Sequence, residues 1–116
     1  MATKETYLYF GDNKGGNAAG DSVTYPASTY LGLDPISATT SRISFKALAG
    51  TAADDDILVT HVTGKFKQIA EALADALSDD NGELVIFMDE DNGIYSKKLR
   101  DLGCIDSSTA LNITLA

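Results

Sequence analysis

The sequence predicts an α+β domain, a mainly antiparallel or mixed β-sheet of six to seven strands with one amphipathic helix packed on it. Three observations predict it. Apolar side chains recur at three- and four-residue steps over residues 66–77, the spacing of one helical face. The runs 56–62 and 84–88 are apolar on both faces, as strands covered on two sides would be. Of the 17 acidic residues, 13 are Asp, a residue poor in helices and favoured in turns.

The elements follow in order. Residues 6–10 form an aromatic first strand, and Gly11 opens a polar, small-residue loop that runs to Asp21. Val23, Thr24 and Tyr25 make a short strand that Pro26 ends or holds at an edge. Residues 27–35 read as irregular, with Tyr30 packing inward. Residues 41–48 alternate, with Ile43, Phe45 and Ala47 on one face and Arg42, Ser44 and Lys46 on the other. A second small-residue loop, 49–55, leads into the strand 56–62.

Thr63 and Gly64 offer a helix start, with Thr63 or a neighbour placed to cap free amide donors. Phe66, Ile69, Ala70, Leu73, Ala74 and Leu77 form the apolar stripe, with Lys65, Lys67, Gln68, Glu71 and Asp75 opposite. Such a helix, roughly 20 Å long, is marginal alone, so its stripe must pack on a sheet. Asn81 and Gly82 tolerate the left-handed backbone of a helix end. After the strand 84–88, Asn92-Gly93 is the strongest short hairpin signal, and 94–99 return as a more polar strand. Residues 107–116 close the sheet with Leu111, Ile113 and Leu115 on one face. No repeat or linker appears, so residues 1–116 are one domain, with an expected radius of gyration of about 13 Å.

The net charge of −8 argues against nucleic acid and against anionic membranes as partners. No apolar run follows the first residues, so no secretory signal peptide is expected, and no stretch has the length of a membrane span. Cys104 is the single cysteine, which excludes an internal disulfide framework and fits a reducing cytoplasm. Buried and inert is the ordinary state of such a thiol.

Chemical motifs are sparse. Val62-Thr63-Gly64-Lys65 lies between strand and helix, but a phosphate loop needs glycine where Val59 stands and Ser or Thr where Phe66 stands. Gly11, Gly15, Gly16 and Gly20 lack dinucleotide-binding spacing and no strand–helix unit follows them. The run 89–93 opens like a calcium loop, yet glycine falls fifth and the twelfth position is Arg100. A low-affinity surface cation site would use Asp89 and Asp91, or Asp54, Asp55 and Asp56. His61 is the single histidine, so a triad or zinc site lacks partners. No pair of carboxylates is marked out for acid–base work. No catalytic residue and no cofactor is assigned.

Several segments carry a resemblance: Ala2-Thr3-Lys4 with Tyr7-Leu8-Tyr9-Phe10, Tyr25-Pro26-Ala27-Ser28, and Ala38-Thr39-Thr40-Ser41-Arg42-Ile43. So does the block from Asp55 to Leu73 containing Asp56-Ile57-Leu58-Val59-Thr60, Thr63-Gly64-Lys65 and Ile69-Ala70-Glu71-Ala72-Leu73. Together they resemble small uncharacterised proteins of marine tailed phages over most of the chain. The resemblance implies a virion-associated or otherwise uncharacterised phage protein, found in the virion or the host cytoplasm, and assigns no functional residue.

With no chemistry marked, the expected function is that of a non-enzymatic structural or interaction protein, a homo-oligomer or a partner of other virion proteins. The alternative is a small module binding a divalent cation or small ligand at the acidic loops. The expected contact residues are Tyr7, Tyr9, Tyr25 and Tyr30, amphipathic aromatics favoured at interfaces, against the competing view that they are core.

Overall fold

The computed structural model describes residues 5–12, 22–50, 52–78, 84–90, 92–107 and 109–116. These carry β1 (Tyr7–Gly11), β2 (Ser22–Pro26), a single 3-10 turn (Ala27–Thr29), β3 (Tyr30–Ser37), β4 (Thr40–Lys46), β5 (Asp54–Thr60), α1 (Phe66–Leu77), β6 (Leu84–Asp89), β7 (Ile94–Tyr95), α2 (Lys97–Asp101) and β8 (Ala110–Thr114). The strands form two four-stranded sheets, in the orders β2-β1-β6-β7 and β3-β4-β5-β8. The first is mixed, because β1 and β6 run parallel, and the second is antiparallel throughout. The α+β class with a mixed or antiparallel sheet is therefore the fold of the protein. Its radius of gyration is 13.4 Å.

Strand alternation sorts each sheet into two faces. In the second sheet Ser41, Ile43 and Phe45 face Val59, Ile57 and Asp55 in register, and all six are buried. In the first sheet Leu8 and Phe10 pair with Tyr25 and Val23, again all buried. The two inner faces meet through aromatic rings. Phe10 and Phe45 lie edge to face at 5.7 Å between centroids, and Tyr25 stacks on Phe45 at 4.2 Å. Phe87 of β6 completes the cluster, 5.6 Å from Phe10.

One polar residue joins the sheets. Asp55 is only 1% exposed, and its carboxylate accepts the Tyr25 hydroxyl at 2.8 Å, the Ala116 amide at 2.8 Å and the Leu48 amide at 3.4 Å. Burial, then the bond to Asp55, push the Tyr25 phenol far above its ordinary pKa of 10.0.

Helix α1 buries Ile69, Ala72, Leu73 and Ala76, the i, i+3, i+4, i+7 set of one face. Ala70 and Ala74, expected on that face, are exposed, and Ala72 and Ala76 take their place. Alanines differ too little in hydropathy from their neighbours to fix the azimuth of a stripe. The expected Thr63 cap is not used: the helix begins after Lys65 with no side-chain cap. Tertiary backbone bonds hold the approach instead. His61 donates to the Thr39 carbonyl at 2.8 Å, Val62 to Cys104 at 3.0 Å and Gly64 to Ala38 at 2.8 Å. Gly64 turns there with φ of +76°, a conformation that glycine adopts without strain.

Four further expectations change. The segment 27–35 holds most of β3, whose register breaks between Tyr30 and Gly32 and again between Pro35 and Ser37, hiding its alternation. The loop expected over 49–55 yields its end to β5, which starts at Asp54. That strand is covered on one side, with Asp56, Leu58 and Thr60 half-buried on the other. The return strand stops at Tyr95; Ser96 then accepts the Leu99 amide at 3.3 Å as the cap of α2. The hairpin itself stands, with Gly93 at φ of +66° and the Asn92 amide on Asp89 at 3.3 Å.

Candidate functional site

The outer face of the first sheet follows from the same registers. Tyr7 lies beside Pro26 on one flank and Leu84 on the other; Tyr9 lies beside Thr24 and Ile86. Past the irregularity between Tyr9 and Phe10, Gly11 pairs with Asp89, and Asp89 pairs with Ile94. Tyr7 is 41% exposed, Leu84 56% and Ile94 47%, while Tyr9 and Ile86 are half-buried and lie outside the core cluster. Gly11 leaves room here for a neighbouring side chain. A Cβ at that position would sit 3.0 Å from the Tyr9 hydroxyl oxygen and 3.2 Å from Asp89 Oδ1, so the Tyr9 side chain reaches across glycine. The result is a row of aromatic and aliphatic cross-strand neighbours of which Tyr7, Leu84 and Ile94 are exposed.

The four tyrosines expected at contacts divide. Tyr7 and Tyr9 lie on this outer face. Tyr25 is wholly buried on Asp55, and Tyr30 packs edge to face on Phe45 at 5.8 Å. Burial pushes the Tyr30 phenol above its ordinary 10.0. Leu84, Ile86 and Ile94 were not foreseen as surface residues. The run 84–88 is apolar throughout, and nothing in its composition says which side a neighbour covers.

The acidic candidates do not converge. Asp54, Asp55 and Asp56 are successive positions of one strand, so their side chains alternate between faces. Asp55 is bound in the core, and Asp56 accepts the Ser44 hydroxyl at 2.9 Å. Asp89 is 6% exposed and accepts the Asn92 amide and, at 2.9 Å, its side-chain Nδ2. Asp91 lies outside the described residues. Glu90 accepts the Tyr95 hydroxyl at 3.0 Å; burial raises its carboxyl pKa and the tyrosine bond opposes that. The Tyr95 phenol is pushed up to about 12, by burial first and then by Glu90. Among the described residues, no group of three or more His, Cys, Asp or Glu is placed to hold a metal ion.

His61 and Ser41 form a buried pair that sequence spacing did not reveal. Their Nε2 and Oγ are 2.8 Å apart, and His61 Nδ1 lies 2.8 Å from the Val62 carbonyl. With Nδ1–H donating to that carbonyl, Nε2 accepts the serine hydroxyl, which is the order a nucleophile and its base would need. Yet Ser41 is 0% and His61 1% exposed, so the pair ties β4 to the end of β5 with no route for a substrate. Cys104 is buried, which raises its thiol pKa, with Lys65 opposing. A cleft of about 450 Å³ lies between Ala72 and Ala76 of α1, Val85 and Ile86 of β6, and Ser96 and Lys98 near α2. Its Ser96 is occupied as a helix cap.

Fold and surface together define a two-sheet α+β sandwich whose first sheet exposes Tyr7, Leu84 and Ile94 and whose second sheet exposes Leu31 and Ile36 beside charged side chains. Comparison with protein-family models, curated proteins and solved structures finds no match to this chain.

Proposed function

We propose that this is a non-enzymatic structural protein that associates with copies of itself through the outer face of β2-β1-β6-β7. The observation that carries the reading is the apolar row of Tyr7, Tyr9, Leu84, Ile86 and Ile94, of which Tyr7, Leu84 and Ile94 are exposed. A second copy is the fitting occupant, because the row carries a single carboxylate, Asp89, which is 6% exposed and bonded to Asn92, in a chain of net charge −8. Two such faces can meet without opposing like charges, whereas most other surfaces of so acidic a chain would repel. The resemblance to small uncharacterised proteins of marine tailed phages, which implies a particle component, agrees with this reading, since particle components are built from repeated self-contacts.

Light scattering on the intact chain tests it. A discrete oligomer is expected, and Leu84→Lys should lower its mass while leaving the melting temperature of the fold in place. A monomer at all concentrations, or an oligomer indifferent to Leu84→Lys and Tyr7→Lys, overturns the assignment. Millimolar calcium should change neither mass nor melting temperature; stabilisation by calcium would favour a cation-binding module instead.

A further inference from the structure

The turn between β6 and β7 sets a side-chain amide beside a backbone nitrogen that nothing shields. Asn92 and Gly93 are both exposed, and glycine has no Cβ to hinder approach to its own nitrogen. The space around Gly93 is open, with no atom within 4 Å of where a Cβ would stand. Asn92 is also the clasp of the turn. Its backbone amide and its Nδ2 both donate to the Asp89 carboxylate, at 3.3 and 2.9 Å. Asp89 is 6% exposed and pairs with Ile94 across the hairpin. Strand β7 is only two residues long, so the ties around it weigh heavily. Besides the clasp they include the Tyr95 hydroxyl on Glu90 and the Ser96 amide on the Phe87 carbonyl, each at 3.0 Å.

We propose that Asn92 is a self-modification site, converted to aspartate and isoaspartate by its own backbone, and that the product releases the clasp on Asp89. The Gly93 nitrogen gives up its proton and attacks Asn92 Cγ. A bond forms between them, the Cγ–Nδ2 bond breaks, and ammonia leaves carrying a proton. Water then opens the five-membered succinimide, at the Cγ carbonyl to give aspartate or at the backbone carbonyl to give isoaspartate. In sum water enters and ammonia leaves, with no change of oxidation state. One negative charge is added to a chain already at −8. The new carboxylate has no proton to donate to Asp89 Oδ2, so a hydrogen bond becomes a contact between like charges. The turn already holds Asp89, Glu90 and Asp91 in its sequence, which sharpens the repulsion. Isoaspartate also lengthens the backbone of the turn by one atom, and turn length sets hairpin register.

Peptide mapping by mass spectrometry tests the reaction. The full chain is held folded in warm, mildly alkaline buffer, beside the same chain unfolded in urea. Conversion of Asn92 to both products is expected in the folded chain, and faster as pH rises, because the attacking nitrogen must lose its proton. Asn92→Gln should keep its side-chain amide, since its longer side chain would have to close a six-membered ring. An Asn92 amide that survives in the folded chain, over a time that converts it in the unfolded chain, overturns the site. Amide hydrogen exchange tests the release, using Asn92→Asp to carry the aspartate product from the start. The Ser96 amide should exchange several-fold faster than in the unmodified chain, while the His61 amide, bonded to Thr39 beyond the hairpin, should keep its rate. Acid that protonates the new carboxyl should return the Ser96 rate toward that of the unmodified chain. An unchanged Ser96 rate in Asn92→Asp overturns the release, and equal acceleration at Ser96 and His61 overturns its confinement to the hairpin.

Discussion

The sheet β2-β1-β6-β7 turns Tyr7, Tyr9, Leu84, Ile86 and Ile94 outward, whereas β3-β4-β5-β8 turns Arg42, Ser44, Lys46, Asp54 and Asp56 outward. On the second sheet the polar groups answer one another: Arg42 pairs with Asp34 at 2.6 Å and Ser44 donates to Asp56 at 2.9 Å. A surface finished in this way is stable facing water. Among the described residues the first sheet's outer face has one such polar group, Asp89 with Asn92, beside its apolar side chains. Both inner faces are equally buried, so the contrast is a matter of what each sheet faces on its far side, not of how well either folds.

The largest expected effect is at the polar joint that Asp55 makes between the sheets. Asp55→Ala would leave the Tyr25 hydroxyl and two amides without their acceptor in the core, costing about 3 kcal/mol in urea unfolding. A loss near zero would mean that the sheets are held by their rings alone. Tyr25→Phe keeps the stack on Phe45 and removes one donor, for about 1 kcal/mol. A much greater loss would show that the hydroxyl organises more of the joint than its one bond.

Alkaline pH reaches the same joint. Tyr25, Tyr30 and Tyr95 all have folded pKa values above the ordinary 10.0, so the unfolded chain gives up these protons first. Their contribution is complete below about pH 10 and is lost as pH rises further, Tyr95 completing its share near 12. Each phenol still protonated in the fold lowers stability by up to about 1.4 kcal/mol per pH unit in that window. Tyr25→Phe should flatten the fall, and an unchanged slope would exclude Tyr25 as a contributor.

The smallest effect on stability is the sharpest on the contrast itself. Leu84→Lys and Thr114→Lys place the same charge at exposed positions of the two outer faces, and each should shift folding stability by no more than about 0.5 kcal/mol. Only Leu84→Lys should lower the assembled mass. Equal loss of mass from both would erase the distinction between the faces.

The alternating burial of β4 and the buried stripe around Ile69 and Leu73 were legible in the sequence, because period two and period 3.6 are local properties of the chain. So was the Asn92-Gly93 hairpin, whose turn needs glycine at a positive φ whatever lies around it. The parallel pairing of β1 with β6 was not legible, since it joins segments far apart and leaves no local mark. Nor was the replacement of the second part of the strand expected over 94–99 by the capped helix Lys97–Asp101, where Ser96 offered a cap that the polar run disguised. The candidate surface was legible only in part: aromatic character pointed to Tyr7 and Tyr9, but equally to Tyr25 and Tyr30, which the core absorbed. Composition determined that these side chains would seek cover. Only the tertiary structure decided which found it within the chain, because burial depends on which face a second sheet packs against, and Leu84, Ile86 and Ile94 fall on the side with none.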